Sequence, residues 1–186
     1  MNNIISGGNE LLDAPQILTK ELGLESSKIV GDFGCGGAAY FSLAAAKLVG
    51  DQGQVYAIDV MKTVLSSAES KARMHNLYNI KTVWSDIEVF GATDIAENSL
   101  DYAFLVNVLF QSKKHDDIFK EVARLMKSGS KLLVIDWDRA ATTFAPADED
   151  KVDPDRLKQI ASDNSLALEK EFKAGQYHFG LIFKKV

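Results

Sequence analysis

Apolar and polar positions alternate in blocks along this chain. Five apolar runs of strand length, at 28–33, 54–58, 80–84, 100–106 and 131–136, are separated by longer segments with helical spacing. The segment 10–22 is amphipathic and stops at Gly23, and 38–49 is almost wholly apolar or small, which predicts a buried helix ending at Gly50. In 62–76, Val64, Leu65, Ala68 and Ala72 share one helical face, and in 115–127 Ile118, Phe119, Val122, Leu125 and Met126 do. Ser128-Gly129-Ser130 is expected to turn the chain into the fifth strand.

The rhythm changes after residue 137. A polar, acid-rich loop over 138–153 precedes a short helix at 154–163. Two extended runs, 166–172 and 177–184, are joined by Lys173-Ala174-Gly175-Gln176, a connection short enough for an antiparallel hairpin. Strand–helix alternation followed by a hairpin predicts an α/β, Rossmann-like fold: a doubly wound, seven-stranded, mostly parallel sheet with helices on both faces and a C-terminal antiparallel hairpin. Such sheets bind ligands beyond the carboxyl ends of their strands, so the loops after the strands are where chemistry is expected.

At 186 residues, one domain over 1–186 is expected, with the helical segment 1–25 lying over a substrate site. A net charge of -5 argues against a nucleic-acid partner, and the basic pairs Lys113-Lys114 and Lys184-Lys185 read as solvated surface. The first residues lack a basic stretch followed by an apolar core, and no apolar run reaches the roughly 20 residues of a membrane span. A cytoplasmic protein without a leader or membrane attachment is the expectation. The single cysteine, Cys35, cannot form an internal disulfide, and His75, His115 and His178 lack metal-ligand spacing, so no metal is expected. His178, in the final hairpin beside Tyr177, is expected to be a sheet histidine with its hydrogen bonds satisfied, with a position facing the substrate site as the alternative.

The most informative stretch is Gly34-Cys35-Gly36-Gly37-Ala38-Ala39, between the first strand and a helix. Glycines there allow a sharp turn and a close ligand approach, and the helix start favours an anionic group. The string Gly34-x-Gly36-x-x-Ala39 with Asp59 after the second strand fits a dinucleotide fingerprint, which keeps a nicotinamide oxidoreductase open. No Tyr-x-x-x-Lys or comparable hydride-transfer pairing accompanies it.

Three features favour another ligand. Asp32, just before the loop, would repel a pyrophosphate yet receive an ammonium group, directly or through water. Ser85-Asp86-Ile87 offers a carboxylate and an apolar neighbour to an adenine. The C-terminal hairpin is an unusual ending for a dinucleotide domain. Adenine, a ribose diol, an amino-acid end and no phosphate describe S-adenosylmethionine.

The chain resembles the class I S-adenosylmethionine-dependent methyltransferases over nearly its full length, and within them the small type-11 enzymes related to quinone biosynthesis. Val30-Gly31-Asp32-Phe33-Gly34-Cys35-Gly36-Gly37 is similar to their first motif, and Val55-Tyr56-Ala57-Ile58-Asp59 to the strand ending in the ribose acid. Ser85-Asp86-Ile87-Glu88 is similar to the adenine-contact motif, Ser99 to Val108 to the fourth-strand motif, and Leu125 to Leu132 to a turn that here has Ser128 and Ser130 for Pro and Gly. The resemblance implies cofactor contacts from Asp32, Gly34, Cys35, Gly36, Gly37, Asp59, Val60, Met61, Asp86, Ile87 and Asn107. Asn107 would border the methionine end and the acceptor.

Two departures stand out. The third glycine of the loop falls on Ala38 in a loop one residue longer than usual, which predicts either an adjusted loop or weakened cofactor affinity. Where the family often has a histidine, Phe110-Gln111 stand. With no second cysteine, the arsenite methyltransferases are excluded.

The expected reaction is methyl transfer from S-adenosylmethionine, leaving S-adenosylhomocysteine, by in-line displacement that needs positioning and water exclusion. No general base stands out. Asp136, Trp137 and Asp138, the Gly7-Gly8-Asn9 segment and the loop 138–153 are candidate acceptor walls. Without an inserted cap the acceptor is expected to be a small molecule, or the site to be completed by oligomerisation. A non-catalytic S-adenosylmethionine binder remains a third reading.

Overall fold

The computed structural model describes residues 9–141 and 145–186. Five strands, β1 (Ile29–Phe33), β2 (Gln54–Asp59), β3 (Ile80–Trp84), β4 (Leu100–Val106) and β5 (Met126–Trp137), run parallel. β6 (Leu166–Lys173) and β7 (His178–Lys185) complete the sheet in the order β3-β2-β1-β4-β5-β7-β6, with β7 antiparallel to both β5 and β6. The strand order reverses between β1 and β4, so the crevice of a doubly wound sheet opens there.

The strands are apolar on both sides because helices cover both faces. On one face α4 (His115–Leu125) and α5 (Pro154–Asp163) bring Phe119, Val122 and Leu157 against Leu105, Leu132 and Phe183. On the other, Phe41 and Ala45 of α2 (Tyr40–Val49), with Ile17 and Leu18, pack on Phe104, Leu133 and Ile182. α3 (Lys62–Met74) sets Leu65 and Ala68 against Ala57 beside them.

Three elements differ from expectation. The segment 10–22 is not one helix. A 3-10 turn (Asn9–Leu11) is followed by α1 (Ala14–Gln16), capped by Asp13 with Pro15 in its first turn, and then by a π turn (Ile17–Glu21). α2 starts at Tyr40 because Ala39 before it is left-handed, at φ 49°. α4 ends at Leu125 because Met126 already pairs with Leu100, and the next ladder pair is Tyr102 with Lys131. The Ser128-Gly129-Ser130 turn is therefore a bulge within β5.

Candidate functional site

A cavity of about 400 Å³ opens at the carboxyl ends of β1, β2, β3 and β4, within the roughly 300–1,000 Å³ of small-ligand sites. Eight of the eleven expected contact residues line it: Gly34, Gly36, Asp59, Val60, Met61, Asp86, Ile87 and Asn107. Asp32, Cys35 and Gly37 do not.

The turn after β1 is locked to the end of β2. The Gly34 and Cys35 N–H groups both donate to the Ile58 carbonyl, at 2.8 and 3.0 Å. Gly34 sits at φ +76°, and a Cβ there would lie 2.5 Å from Val108 Cγ2, so both backbone and packing demand glycine. Gly36 is different: at φ +65° its missing Cβ would meet nothing within 4 Å, so it borders open cavity. The Gly37 carbonyl is turned away onto α3, accepting from Ser67 Oγ (2.9 Å) and Lys71 Nζ (2.8 Å). The left-handed position of the longer loop is Ala39, one residue past the expected third glycine. It costs on the order of 1–2 kcal/mol.

Asp59 is held ready. Its Oδ2 accepts from the Gly36 N–H at 3.3 Å and its Oδ1 from the Met61 N–H at 2.9 Å. A carboxylate fixed in this way, at the rim of an open glycine, suits a vicinal diol. Val60 and Met61 beside it are 54% and 56% exposed, an apolar shelf that nothing in the described structure covers. Across the cavity Asp86 is exposed and turns one oxygen to the Glu88 N–H.

The wall beneath Asp86 is tied to α4. Glu121 accepts from the Gly91 and Thr93 N–H groups, and Thr93 Oγ1 meets Ser85 Oγ at 2.9 Å. Burial works against ionisation of Glu121, but the Arg124 guanidinium and those N–H groups outweigh it and hold the carboxyl at about 2. Asp86 and Ile87 thus stand on a wall fixed by a permanent anion.

Asp32, expected to receive a ligand ammonium directly or through water, does not line the cavity. It is buried behind the loop and takes the Ser42 hydroxyl at 2.5 Å. Burial pushes its carboxyl up to about 6, with the Ser42 hydrogen bond holding it back. Cys35 is buried, and burial pushes its thiol well above the ordinary range, so it is an inert packing group.

Beyond β4, Asn107 is left-handed (φ 56°), with its N–H on the Ile135 carbonyl and its Nδ2 donating to Asn9 Oδ1 at 2.8 Å. Asn9 lines the cavity, while Gly7 and Gly8 lie outside the described residues. Asp136, a candidate acceptor wall, accepts from the Leu109 and Phe110 N–H groups and so caps the 3-10 turn Leu109–Gln111. Burial pushes its carboxyl up to about 7. His178 departs from expectation in the opposite sense: among the described residues neither of its buried ring nitrogens has a partner.

Sequence reasoning missed Val108, Gln111 and Ser112 as lining residues, and Glu88 except as part of its motif. Gln111 Nε2 donates to the Asn107 carbonyl. The Ser112 hydroxyl, followed by Lys114, lowers the Glu88 carboxyl below its usual range. Their signal was the Phe110-Gln111 departure, which marked this loop without giving its direction.

Comparison with known proteins places these features. Residues 24–177 match a family whose description is a methyltransferase domain. Demethylmenaquinone methyltransferase of Geobacillus sp. (strain WCH70) is 27% identical over 136 residues, 73% of this chain and 56% of that one. The chain thus spans about half the length of the curated relatives it matches. A SAM-dependent methyltransferase from Aquifex aeolicus superposes with a TM-score of 0.86 at 25% identity, covering 98% of this chain and 94% of that one. A 4+2 cyclase shares the fold at a TM-score of 0.76 and 14% identity, covering 92% of this chain and 80% of that one. The fold by itself therefore does not fix the reaction.

Proposed function

The chain belongs to the methyltransferase-domain family, and from that premise we propose that it transfers a methyl group from S-adenosylmethionine to a small-molecule acceptor. The observation that carries the reading is Asp59, its two oxygens oriented by Gly36 and Met61 in a cavity whose wall holds Asp59, Asp86 and Glu88 and no lysine or arginine. Such a wall suits a ribose diol and a cationic ligand, and disfavours a pyrophosphate. That weighs against the nicotinamide reading.

The residues present fit the cofactor. Asp59 would accept from the ribose hydroxyls, Val60, Met61 and Ile87 would flank the adenine, and Asp86 would accept from its amino group. The open backbone at Gly36 would admit the chain toward the sulfur. Asn107 Oδ1 is buried, unpartnered and on the cavity wall, which suits an ammonium group. Cys35, Gly37 and Asp32 would act from behind the loop. When bound, S-adenosylmethionine supplies an activated methyl on a sulfonium. The protein's part is to orient the acceptor in line and exclude water. The chain would work as one unit, with its N-terminal segment at the acceptor side.

Calorimetric titration with S-adenosylhomocysteine and, separately, NADH tests this on wild type, Asp59→Ala and Asp59→Asn. The expected result is micromolar binding of S-adenosylhomocysteine and none of NADH. Asp59→Ala should weaken binding by about 2–3 kcal/mol, roughly 30- to 150-fold, for the loss of charge-assisted hydrogen bonds. Binding of NADH in its place would move the assignment to an oxidoreductase.

A further inference from the structure

Four buried side-chain polar atoms lack a hydrogen-bond partner among the described residues: Asn107 Oδ1, Trp137 Nε1, and Nδ1 and Nε2 of His178. They are not scattered. Asn107 follows β4, Trp137 ends β5 and His178 begins β7, and these three strands are consecutive in the sheet. Trp137 and His178 are paired across β5 and β7, so their side chains leave the same face. That face is the one on which Ile135 and Ile182 meet the N-terminal segment. The two rings lie with centroids 4.3 Å apart at 34°. Asn107, which follows the strand next to β5, shares the cavity wall with Asn9.

Leaving such groups unmet is costly, on the order of 1–3 kcal/mol each, and a phenylalanine at either ring position would avoid it. Three residues with unmet groups among the described residues, on neighbouring strands and with Asn107 on the wall of a ligand cavity, imply that something else completes them. Resting on the methyl-transfer reading above, we infer that Trp137 and His178 form the acceptor-recognition site, and that they take an uncharged group bearing a hydroxyl or carbonyl oxygen.

The chemistry selects that group. An indole N–H only donates, and a neutral imidazole has one donor and one acceptor nitrogen. A hydroxyl oxygen accepts from the indole while its proton goes to the bare imidazole nitrogen, and a carbonyl accepts from both N–H groups. Burial pushes the His178 ring down to about 4, so it is neutral near pH 7 and offers no charge to an anion. Among the described residues the charged groups of the cavity wall are all carboxylates, which would repel a carboxylate or phosphate ester. A cationic amine would face the indole N–H with a single lone pair to bind it. An acceptor coming from the cavity passes the 2.8 Å hydrogen bond between Asn107 and Asn9, which has to open.

The test uses the whole chain, labelled with 15N and saturated with S-adenosylhomocysteine. It has two tryptophans, so its indole N–H resonances are assigned with Trp84→Phe. The probes are 2-naphthol and 2-naphthoate. The expected result is that 2-naphthol moves the Trp137 resonance and leaves that of Trp84 in place. His178→Phe, which keeps the ring and the packing, should weaken 2-naphthol binding at least ten-fold and change S-adenosylhomocysteine affinity less than two-fold. 2-Naphthoate should bind at least ten-fold more weakly than 2-naphthol. If S-adenosylhomocysteine binds but the Trp137 resonance ignores 2-naphthol, or His178→Phe leaves its affinity unchanged, the pair is a buried structural element completed by water and the inference falls. If S-adenosylhomocysteine itself does not bind, the methyl-transfer reading falls and takes this one with it.

Discussion

Two neighbouring stretches of the same sheet edge treat buried polarity in opposite ways. Where β1 and β2 end, every polar group named above has a partner before any ligand arrives. Asp59 holds Gly36 and Met61, Asp32 holds Ser42, and the Gly37 carbonyl holds Ser67 and Lys71. Where β4 and β5 end and β7 begins, Asn107, Trp137 and His178 keep polar atoms without a partner among the described residues. The first stretch is preorganised, so binding there orders little. The second is left incomplete among the described residues, at a cost in stability. Each cofactor can be bound by a rigid shape common to a whole family.

The largest effect expected from disturbing the preorganised side is Gly34→Ala. A left-handed alanine costs about 1–2 kcal/mol and the 2.5 Å approach to Val108 adds overpacking, for a total of about 3 kcal/mol lost. Urea unfolding measures it. Val108→Ala in the same chain should restore the overpacking share and leave the backbone share. A Gly34→Ala protein as stable as wild type would mean that the turn is not locked, and the contrast between the two stretches would dissolve.

The same contrast separates what the sequence made legible. The parallel strands were readable to within a residue or so at most ends, because each is an apolar run with a helical stripe beside it, as in 100–106. The loops after β1, β2 and β3 were readable because glycine and aspartate at a strand end admit few uses. What escaped depends on neighbours distant in the chain. Nothing in Asn9 to Glu21 announces a change from α to π geometry, and Met126 reads as helical until its pairing with Leu100 is known. Asp136, a candidate acceptor wall, accepts from the N–H groups of Leu109 and Phe110, and His178, expected to be satisfied, has no ring partner among the described residues. Both outcomes rest on which side of β5 and β7 a residue faces, and on what faces it there.

A smaller effect probes the incomplete side. His178 is 0% exposed and its ring is pushed down to about 4 from an ordinary 6.5. The unfolded chain therefore takes up a proton first, so the stability tied to the neutral ring is whole above pH 6.5 and is lost as pH falls toward 4. Asp32 and Asp136 run the other way. Their folded values, about 6 and about 7, exceed that of a free carboxyl, so their share is whole below pH 3.8 and is lost as pH rises toward 7. His178→Phe removes only the first of these. At pH 7.5 the variant should be slightly more stable than wild type, since an unmet buried group is gone. By pH 5 its advantage should grow by roughly 1–2 kcal/mol, read as the difference between urea unfolding curves at the two pH values. An advantage that does not change with pH would mean that the ring is not held neutral by burial.

The smallest change in stability, and the sharpest functional one, is expected at Gly36. Its φ of +65° imposes the same left-handed cost as at Gly34, but a Cβ there meets nothing within 4 Å. Alanine also restricts the unfolded chain, which returns part of that cost, so Gly36→Ala should lose less than about 1 kcal/mol. The new methyl would stand in the space assigned to the cofactor, beside the Asp59 carboxylate. S-Adenosylhomocysteine affinity, measured by calorimetry, should fall at least ten-fold while the unfolding midpoint scarcely moves. Gly34→Ala and Gly36→Ala thus divide one loop into a position kept for the fold and a position kept for the ligand. If Gly36→Ala bound S-adenosylhomocysteine as tightly as wild type, the open space beside Gly36 would not be where the cofactor lies, and the preorganisation of Asp59 would have to serve another ligand.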